Sequence, residues 1–584
     1  MGLFTEHSPH LGGTLERRHP PVERRITPPR FLDPQERSAV HELVASGLTP
    51  LQAVFATRRG IIDPISFIAP TADPASINFS IPGVRQATAV IREDLAGSRP
   101  FAVASDFDVD GVTSAAIMVT TLRALGAVVS ADTPCRQSMG EGYGLNRRLI
   151  DDAVSKGCGT IIALDFGTTQ HQMLRYAADQ GLNTIVIDHH QLGRFPVPPA
   201  DALINPHVSQ REFREMCAAG LTWLFCQELC RDLGSAFDCR STLSLAALAT
   251  IADVVPLIGV NRSIVQHGLP LIPDHPGLEV LRKEAGLPRD LTSGDVAFQL
   301  GPMINAPGRI LPFGARHCLD LLVGEPSKHL TAALELIDAN RRRKERERID
   351  TSRALGLIGS RPLQRGLVIE SDFFDPGVVG LVASRLAERY ARPTAIIACN
   401  SPQVGRASVR GALGFDVYEG LASCSHLFER FGGHKAAGGF AIQRAKIPEL
   451  QRTFAAAVQQ QLGVFQTPTI EADLFFDPQK ISLAEAAEQL AAFEPFGNAN
   501  EAPRVYLKQA SITDIQSIGT EHFRVELRSG GITIDGYLWR GEGNSILKRK
   551  AGEEFPILGR VSSYLKPSGG SFSRTAAFEI LAHG

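Results

Sequence analysis

"PFAVASDFDVDGVTSAAIMVTTLRALG", residues 100–126, is the stretch that decides the fold class. A short apolar run, "PFAVAS", gives way at once to three alternating aspartates, Asp106, Asp108 and Asp110, and Gly111 then opens a helix-like segment. The unit recurs twice. "GTIIAL" ends at Asp165 and is followed by helix-like "TTQHQMLRYAADQG"; "LNTIVI" ends at Asp188, His189 and His190. Apolar runs alternating with helical segments are the signature of βαβ units around a parallel sheet. Ligands of such sheets bind in the crevice outside the carboxyl ends of the strands, which is where these acids stand.

Three carboxylates converging on one sheet edge repel one another, and their pKa values rise unless cations neutralise them. Taken alone, "SDFDVDG" reads as a solvated acidic loop and "VIDHH" as a strand running out into solvent. Both in one sheet point to a metal centre. Many carboxylates with few imidazoles favour Mn²⁺ or Mg²⁺. Such a cluster can hold two ions about 3.5–4 Å apart, an arrangement suited to in-line attack on phosphate esters. The residues alone therefore indicate metal-assisted hydrolysis of a phosphoester or anhydride.

The chain has 584 residues, 43% hydrophobic and 21% charged, which is ordinary globular composition with room for several domains. A formal net charge of −2 provides no global basic field for nucleic acid or membrane, although a local groove remains compatible with it. Nine cysteines without framework spacing indicate a reducing compartment. Cys226 and Cys230, one helical turn apart in "WLFCQELCRDLG", read as core residues rather than zinc ligands. "MGLFTEHSPHLGG" has no signal core, and no apolar run approaches the roughly 20 residues that span a bilayer, so a cytoplasmic, membrane-free protein is expected.

Along the chain, residues 1–57 read as an extended arm and helical lead-in, and 58–285 as the α/β catalytic domain. Residues 286–355 form an interdomain region with one long charged helix over 330–355. A second α/β pattern occupies 356–465, ending in Gly-rich "FGGHKAAGGF". Residues 466–584 carry short runs such as "HFRVELRS" and "GITIDGYLW" between turn signals, the texture of a small antiparallel barrel or sandwich.

"DFDVDGVTS", "ALDFGTT", "VIDHH" and "ATIADVVPL" resemble, in order, the four motifs of the DHH phosphoesterase superfamily. Further matches resemble its RecJ branch, the single-strand-specific exonucleases: "GEGYGLN" (140–146), "INAPGRI" (304–310), "PGVVGLVASRLAERYARP" (376–393), "FGGHKAAGG" (431–439) and "FEPFGNANEAP" (493–503). The resemblance runs from about residue 58 to the end of the sequence. It implies a DHH catalytic domain, a connector helix, a DHH-associated domain and a C-terminal OB-fold. It further implies two Mn²⁺ or Mg²⁺ ions held by Asp106, Asp108, Asp165, His189 and Asp253, with Asp188 either a ligand or a support orienting His189. Asp108, Asp165 and His190 are the implied catalytic residues, His190 facing the scissile phosphate. Asp110 is a possible further acid, its plainer reading being a turn-stabilising carboxylate before Gly111. Asn305, Arg309, Arg406, Ser408, Arg410, Gly432, Gly433 and His434 are the implied substrate contacts. Phe523, Tyr537 and Trp539 are candidate stacking aromatics on the OB-fold, or equally barrel core.

Two positions depart from the family pattern. Phe166 stands where the second motif usually has Asn or Cys, and "FFDPG" places Phe374 and Asp375 where Trp-His is usual. Asp375 is expected to repel a phosphate. The activity implied is 5′→3′ degradation of single-stranded DNA to nucleoside monophosphates by a monomer, in repair and recombination, with a single-strand-binding protein and a helicase as partners. One alternative is a phosphodiesterase of short oligonucleotides or cyclic dinucleotides, against which the OB-like domain argues. Another is a non-catalytic single-strand-binding scaffold, against which the full set of metal-ligand side chains argues.

Overall fold

The computed structural model describes residues 19–69, 71–135, 144–193, 195–209, 213–359, 362–519, 521–541, 544–568 and 571–584. Residues 1–18 of the expected arm and Gly140–Tyr143 of "GEGYGLN" lie outside the described residues. The first sheet comprises β1 (Phe101–Ser105), β2 (Val129–Asp132), β3 (Thr160–Leu164), β4 (Asn183–Ile187) and β5 (Ala202–Ile204). They run all parallel in the order β2-β1-β3-β4-β5.

Helices cover both faces, which explains why β1 and β3 are buried at every position and read as unbroken apolar runs. Phe101, Val103, Ile162 and Ile185 pack with α1 (Val109–Ala124), α2 (Ala218–Asp232) and α3 (Leu243–Ala252). Ala102, Ile161, Ala163 and Val186 pack on the opposite side with Leu149, Phe166 and Leu174. Phe166 is thus a core residue beneath the sheet, and its departure from the motif is one of packing. The register aligns Ser105 with Leu164 and Leu164 with Ile187. The next residue of each strand, Asp106, Asp165 and Asp188, therefore falls level on one edge.

The charged helix α4 spans Pro326–Ile358, one turn longer than expected at its start. It leads into a mixed sheet of β6 (Leu367–Ser371), β7 (Thr394–Ala398), β8 (Val404–Arg410), β9 (Phe428–Gly433) and β10 (Ala437–Gln443), in the order β9-β10-β8-β7-β6. Helix α5 (Val379–Tyr390) packs on it. The C-terminal unit is a barrel of β11 (Leu474–Phe475), β12 (Arg504–Ile518), β13 (His522–Ser529), β14 (Ile532–Leu538), β15 (Phe555–Ser568) and β16 (Ser571–His583). Pairing of β12 with β15 closes it.

The N-terminal lead-in belongs to the barrel, which the sequence does not show. Strand Arg25–Thr27 pairs in parallel with Thr469–Glu471. Phe55, on helix Pro50–Arg58, meets Phe493 edge-on with ring centroids 4.8 Å apart inside the barrel core. All nine cysteines are buried thiols, Cys226 and Cys230 among the core residues around Trp223. Among the described residues, no helix is long and apolar enough to cross a membrane.

Candidate metal centre

The structure brings the strand-end acids, both histidines and Asp253 together. Among the described residues, three groups of potential ligand atoms form, each with its atoms within 4.8 Å of one another: Asp106, Asp108 and Asp165; Asp165, His189 and His190; Asp110, His189 and Asp253. Asp165 and His189 each belong to two of these groups, so the groups adjoin. His189 Nε2 lies 3.3 Å from Asp165 Oδ1 and 3.6 Å from Asp110 Oδ2, and its Nδ1 lies 3.9 Å from Asp253 Oδ2.

Each side chain is placed by local chemistry. Asp108 caps α1, its Oδ1 accepting from Gly111 N at 3.1 Å. A Cβ on Gly111 would sit 2.3 Å from the Asp106 carbonyl oxygen, so only glycine allows the loop to fold this tightly. Asp165 has a left-handed backbone, φ 62°, and is tied to the sheet by its N–H on Ile187 O at 3.0 Å. Asp253 caps the carboxyl end of α3, where the helix dipole opposes a negative charge.

Asp110 and Asp188 differ from the readings given them above. Asp110 does not stabilise its own turn. Its two oxygens accept from Ala218 N and Ala219 N, both at 2.7 Å, at the start of α2. Those partners lie more than a hundred residues away, out of reach of any local pattern. Asp188 orients His190 rather than His189: its Oδ1 lies 2.7 Å from His190 Nδ1, and it also accepts from His189 N and His190 N. Its Oδ2 accepts from Thr168 N at 3.0 Å. Asn205, just past β5, bonds both Thr168 Oγ1 and the His190 carbonyl at 2.9 Å. Thr168 stands within the motif "ALDFGTT" but no role was read for it there, and Asn205 carried no sequence signal.

The electrostatics test whether these residues fit divalent ions. Burial, followed by the charges of Asp110, Asp108, Asp106 and Asp188, drives Asp165 well above the usual carboxylate range. Burial with Asp110 and Asp108 pushes Asp253 up to about 8. Burial also raises Asp110, against the pull of His189. By contrast, burial of Asp188 is outweighed by the His190 hydrogen bond and charge, and its pKa falls well below the ordinary value. His190 rises to about 9: burial opposes this, but the hydrogen bond and charge of Asp188 prevail. An oxygen-rich set of buried acids that cannot all ionise unaided, with one interleaved imidazole, fits two Mn²⁺ or Mg²⁺ ions.

A stability test follows. Asp253 has a higher pKa folded than unfolded, so the metal-free fold loses stability as pH rises from about 4 through about 8. Added Mn²⁺ is expected to raise the melting temperature more at about pH 8.5 than at about pH 6. Equal gains at both values, measured by calorimetry, would contradict the cluster's role as an ion site.

The interdomain helix Gly301–Ile310 and the second domain both adjoin this centre. Arg309, in the helix Gly301–Ile310, senses Asp108, Asp106 and Glu347. Asn305 Oδ1 accepts from Val109 N at 2.9 Å and so braces the first acidic loop. On β8, Arg410 donates to Ser408 Oγ at 2.9 Å. A Cβ on Gly380 of α5 would lie 2.9 Å from Arg410 Nη2 and 3.0 Å from Ser408 Oγ, so that glycine makes room for the pair. Arg406 shares their strand face but is exposed at its far end. Gly432, Gly433 and His434 form the exposed tip of the β9–β10 hairpin. Burial lowers the His434 pKa, with the charges of Arg410 and His190 adding to the effect, so this tip is within electrostatic reach of His190. Asp375 does not present a bare charge: it pairs with Arg346 at 2.7 Å and accepts from Gly377 N at 2.8 Å, while Phe374 is buried in the α5 core.

Residues 100–251 match the DHH family, N-terminal domain; 364–460 match the DHHA1 domain; 472–563 match the RecJ OB domain. The chain is 31% identical over 488 residues to the single-stranded-DNA-specific exonuclease RecJ of Dickeya dadantii, covering 78% of this chain and 83% of that protein. It is 29% identical over 502 residues to the RecJ of Bacillus subtilis, covering 84% of this chain and 62% of that protein. It likewise spans only 62% of the Thermus thermophilus RecJ sequence. The crystal structure of RecJ in complex with Mn²⁺ from Thermus thermophilus superposes with a TM-score of 0.78 at 26% identity, covering 96% of this chain and 80% of that one. With all three domain types in order on a matching fold, and 31% identity across four-fifths of a full relative, the chain belongs to the RecJ family.

Proposed function

We propose that this protein is a metal-dependent, single-stranded-DNA-specific exonuclease that works 5′→3′ and releases nucleoside monophosphates. The observation that carries the reading is the pairing of two surfaces. A carboxylate and histidine centre on the first sheet faces Arg410, Ser408 and His434 on the second. Divalent ions held by Asp106, Asp108, Asp110, Asp165, His189 and Asp253 would supply Lewis-acid charge to a phosphate and acidify a water. His190, held protonated beside Asp188, would donate to a phosphate oxygen of the bound strand. Arg309 and Arg410 present guanidinium groups that suit phosphate oxygens.

The cations continue away from the centre. Arg343 and Arg385 both grip Glu347, at 2.8 and 2.6 Å, and Arg343 senses Arg309, Arg385 and Arg540. Arg540 adjoins Trp539, which stacks on Tyr537 with rings 5.6 Å apart and 19° between planes. Trp539 is 43% exposed, whereas Tyr537 is buried and Phe523 packs against the barrel core. A cationic line ending at an open indole suits the backbone and bases of a single strand. The family resemblance extends the proposal to a cytoplasmic monomer serving a helicase and a single-strand-binding protein.

The test uses 5′- and 3′-labelled single strands, blunt duplex and dinucleotides with Mn²⁺, Mg²⁺ or EDTA. Loss of single strand from the 5′ end, only with metal, is expected. Cleavage of dinucleotides alone, or binding without cleavage, would overturn the reading. Arg410→Ala should raise KM about tenfold and leave kcat within about threefold, since its contact forms with the bound strand as well as in the transition state. An unchanged KM would remove Arg410 from the substrate site.

A further inference from the structure

The geometry points to Asn498 as a positioning residue for the metal centre: its amide group locks the turn that carries Asp253. The inference rests on Asp253 being a metal ligand, as the proposed function has it.

Asp253 caps the end of α3, and the chain leaves the helix through Val254, whose φ is 57°. That is the left-handed conformation that glycine adopts freely at a helix end and that a β-branched side chain resists. Val254 is also 64% exposed, so no packing of its own side chain holds it there. The helix contributes one closing bond, Val254 N to Ile251 O at 3.2 Å, and the rest of the hold comes from a residue far along the chain. Asn498 Nδ2 donates to the Val254 carbonyl at 2.8 Å, and Leu257 N donates to the Asn498 carbonyl at 2.8 Å. One residue therefore grips both ends of the turn 254–257. Unlatched, Val254 would relax toward negative φ, and the Asp253 carboxylate one residue away would turn with it.

Asn498 is itself held firmly. Its loop, 493–500, is braced internally by Asn500, whose Nδ2 donates to Phe493 O and Pro495 O. It is docked on the catalytic domain by Arg262, which donates to Glu494 O at 2.8 Å, and by Ser293, whose Oγ donates to Phe496 O at 2.6 Å. A Cβ on Gly497 would come 2.7 Å from Leu257 Cδ1, so the loop backbone lies directly against the turn. The loop that leads into the barrel is thus also a support of the metal centre.

The test is a calorimetric titration of the full chain with Mn²⁺ alone, alongside melting of the metal-free protein. Asn498→Ala is expected to weaken Mn²⁺ binding about tenfold, the scale seen for residues that orient ligands, with little change in metal-free melting. Val254→Gly makes the left-handed turn intrinsically easy, so in that background Asn498→Ala should cost less than about threefold. Ser293→Ala removes a docking bond of the same loop without touching the turn and should leave Mn²⁺ affinity unchanged. Wild-type affinity in Asn498→Ala overturns the inference. So does an equal loss with Val or Gly at position 254, or an equal loss in Ser293→Ala, because either would mean that loop docking alone matters. The titrations contain no DNA, so failure of the exonuclease reading leaves them unaffected.

Discussion

Asp165→Ala is expected to reduce metal-dependent degradation of single-stranded DNA at least about a thousandfold, some 4 kcal/mol of transition-state stabilisation. Asp165 is shared by two of the candidate ligand groups, so its loss depletes both at once. Its stability effect should run the other way. Burial and four neighbouring carboxylates push its pKa up, so the metal-free fold holds this group under repulsion. Asp165→Asn removes the charge, keeps the shape and tolerates the left-handed backbone. This variant should therefore melt no lower than wild type without metal, and gain less from Mn²⁺. Near-wild-type digestion by the Ala variant would mean that the ion site lies elsewhere. Early melting of the metal-free Asn variant would mean that the carboxylate is a structural anchor.

The second large effect is expected at Asp188. Its carboxylate accepts from three main-chain N–H groups, His189, His190 and Thr168, and from the His190 ring, and it enters none of the candidate ligand groups. Asp188→Asn turns one acceptor into a donor in a pocket where every neighbour already donates, and removes the charge that raises the His190 pKa to about 9. We expect kcat to fall about a hundredfold while Mn²⁺ affinity stays within about threefold. The pH profile should also change, because the limb contributed by protonated His190 moves to lower pH. If Mn²⁺ affinity falls in step with activity, Asp188 is a ligand and the role assigned to His190 loses its support.

The parts of the site that were legible in the sequence are those set by periodicity. Apolar runs ending in Asp106, Asp165 and Asp188 located three strands and their shared edge, because a buried parallel strand and its terminal residue are both local features. What was not legible depends on contacts that close over long separations. The role of Asp110 was hidden because its donors lie on α2. Asp375 looked repulsive because Arg346, on the preceding long helix, could not be placed against it. Phe166 read only as a departure from the family pattern, because strand alternation could not say that the residue after Asp165 turns under the sheet into the core. Asn498 stood within the quoted stretch "FEPFGNANEAP", but its role was hidden because its partner, Val254, is 244 residues away.

The stitching of the N-terminal lead-in onto the barrel bears on how the chain comes off the ribosome. Thr49 donates to Gln489, a separation of 440 residues, and Phe55 is buried against Phe493. At about 5–20 residues per second, the helix Pro50–Arg58 waits on the order of 20–90 s after its own synthesis before the surface that buries it exists. The catalytic sheet, whose strands all fall within about a hundred residues, can close during that interval. The helix Pro50–Arg58 is thus expected to gain its packing only after the catalytic sheet has closed.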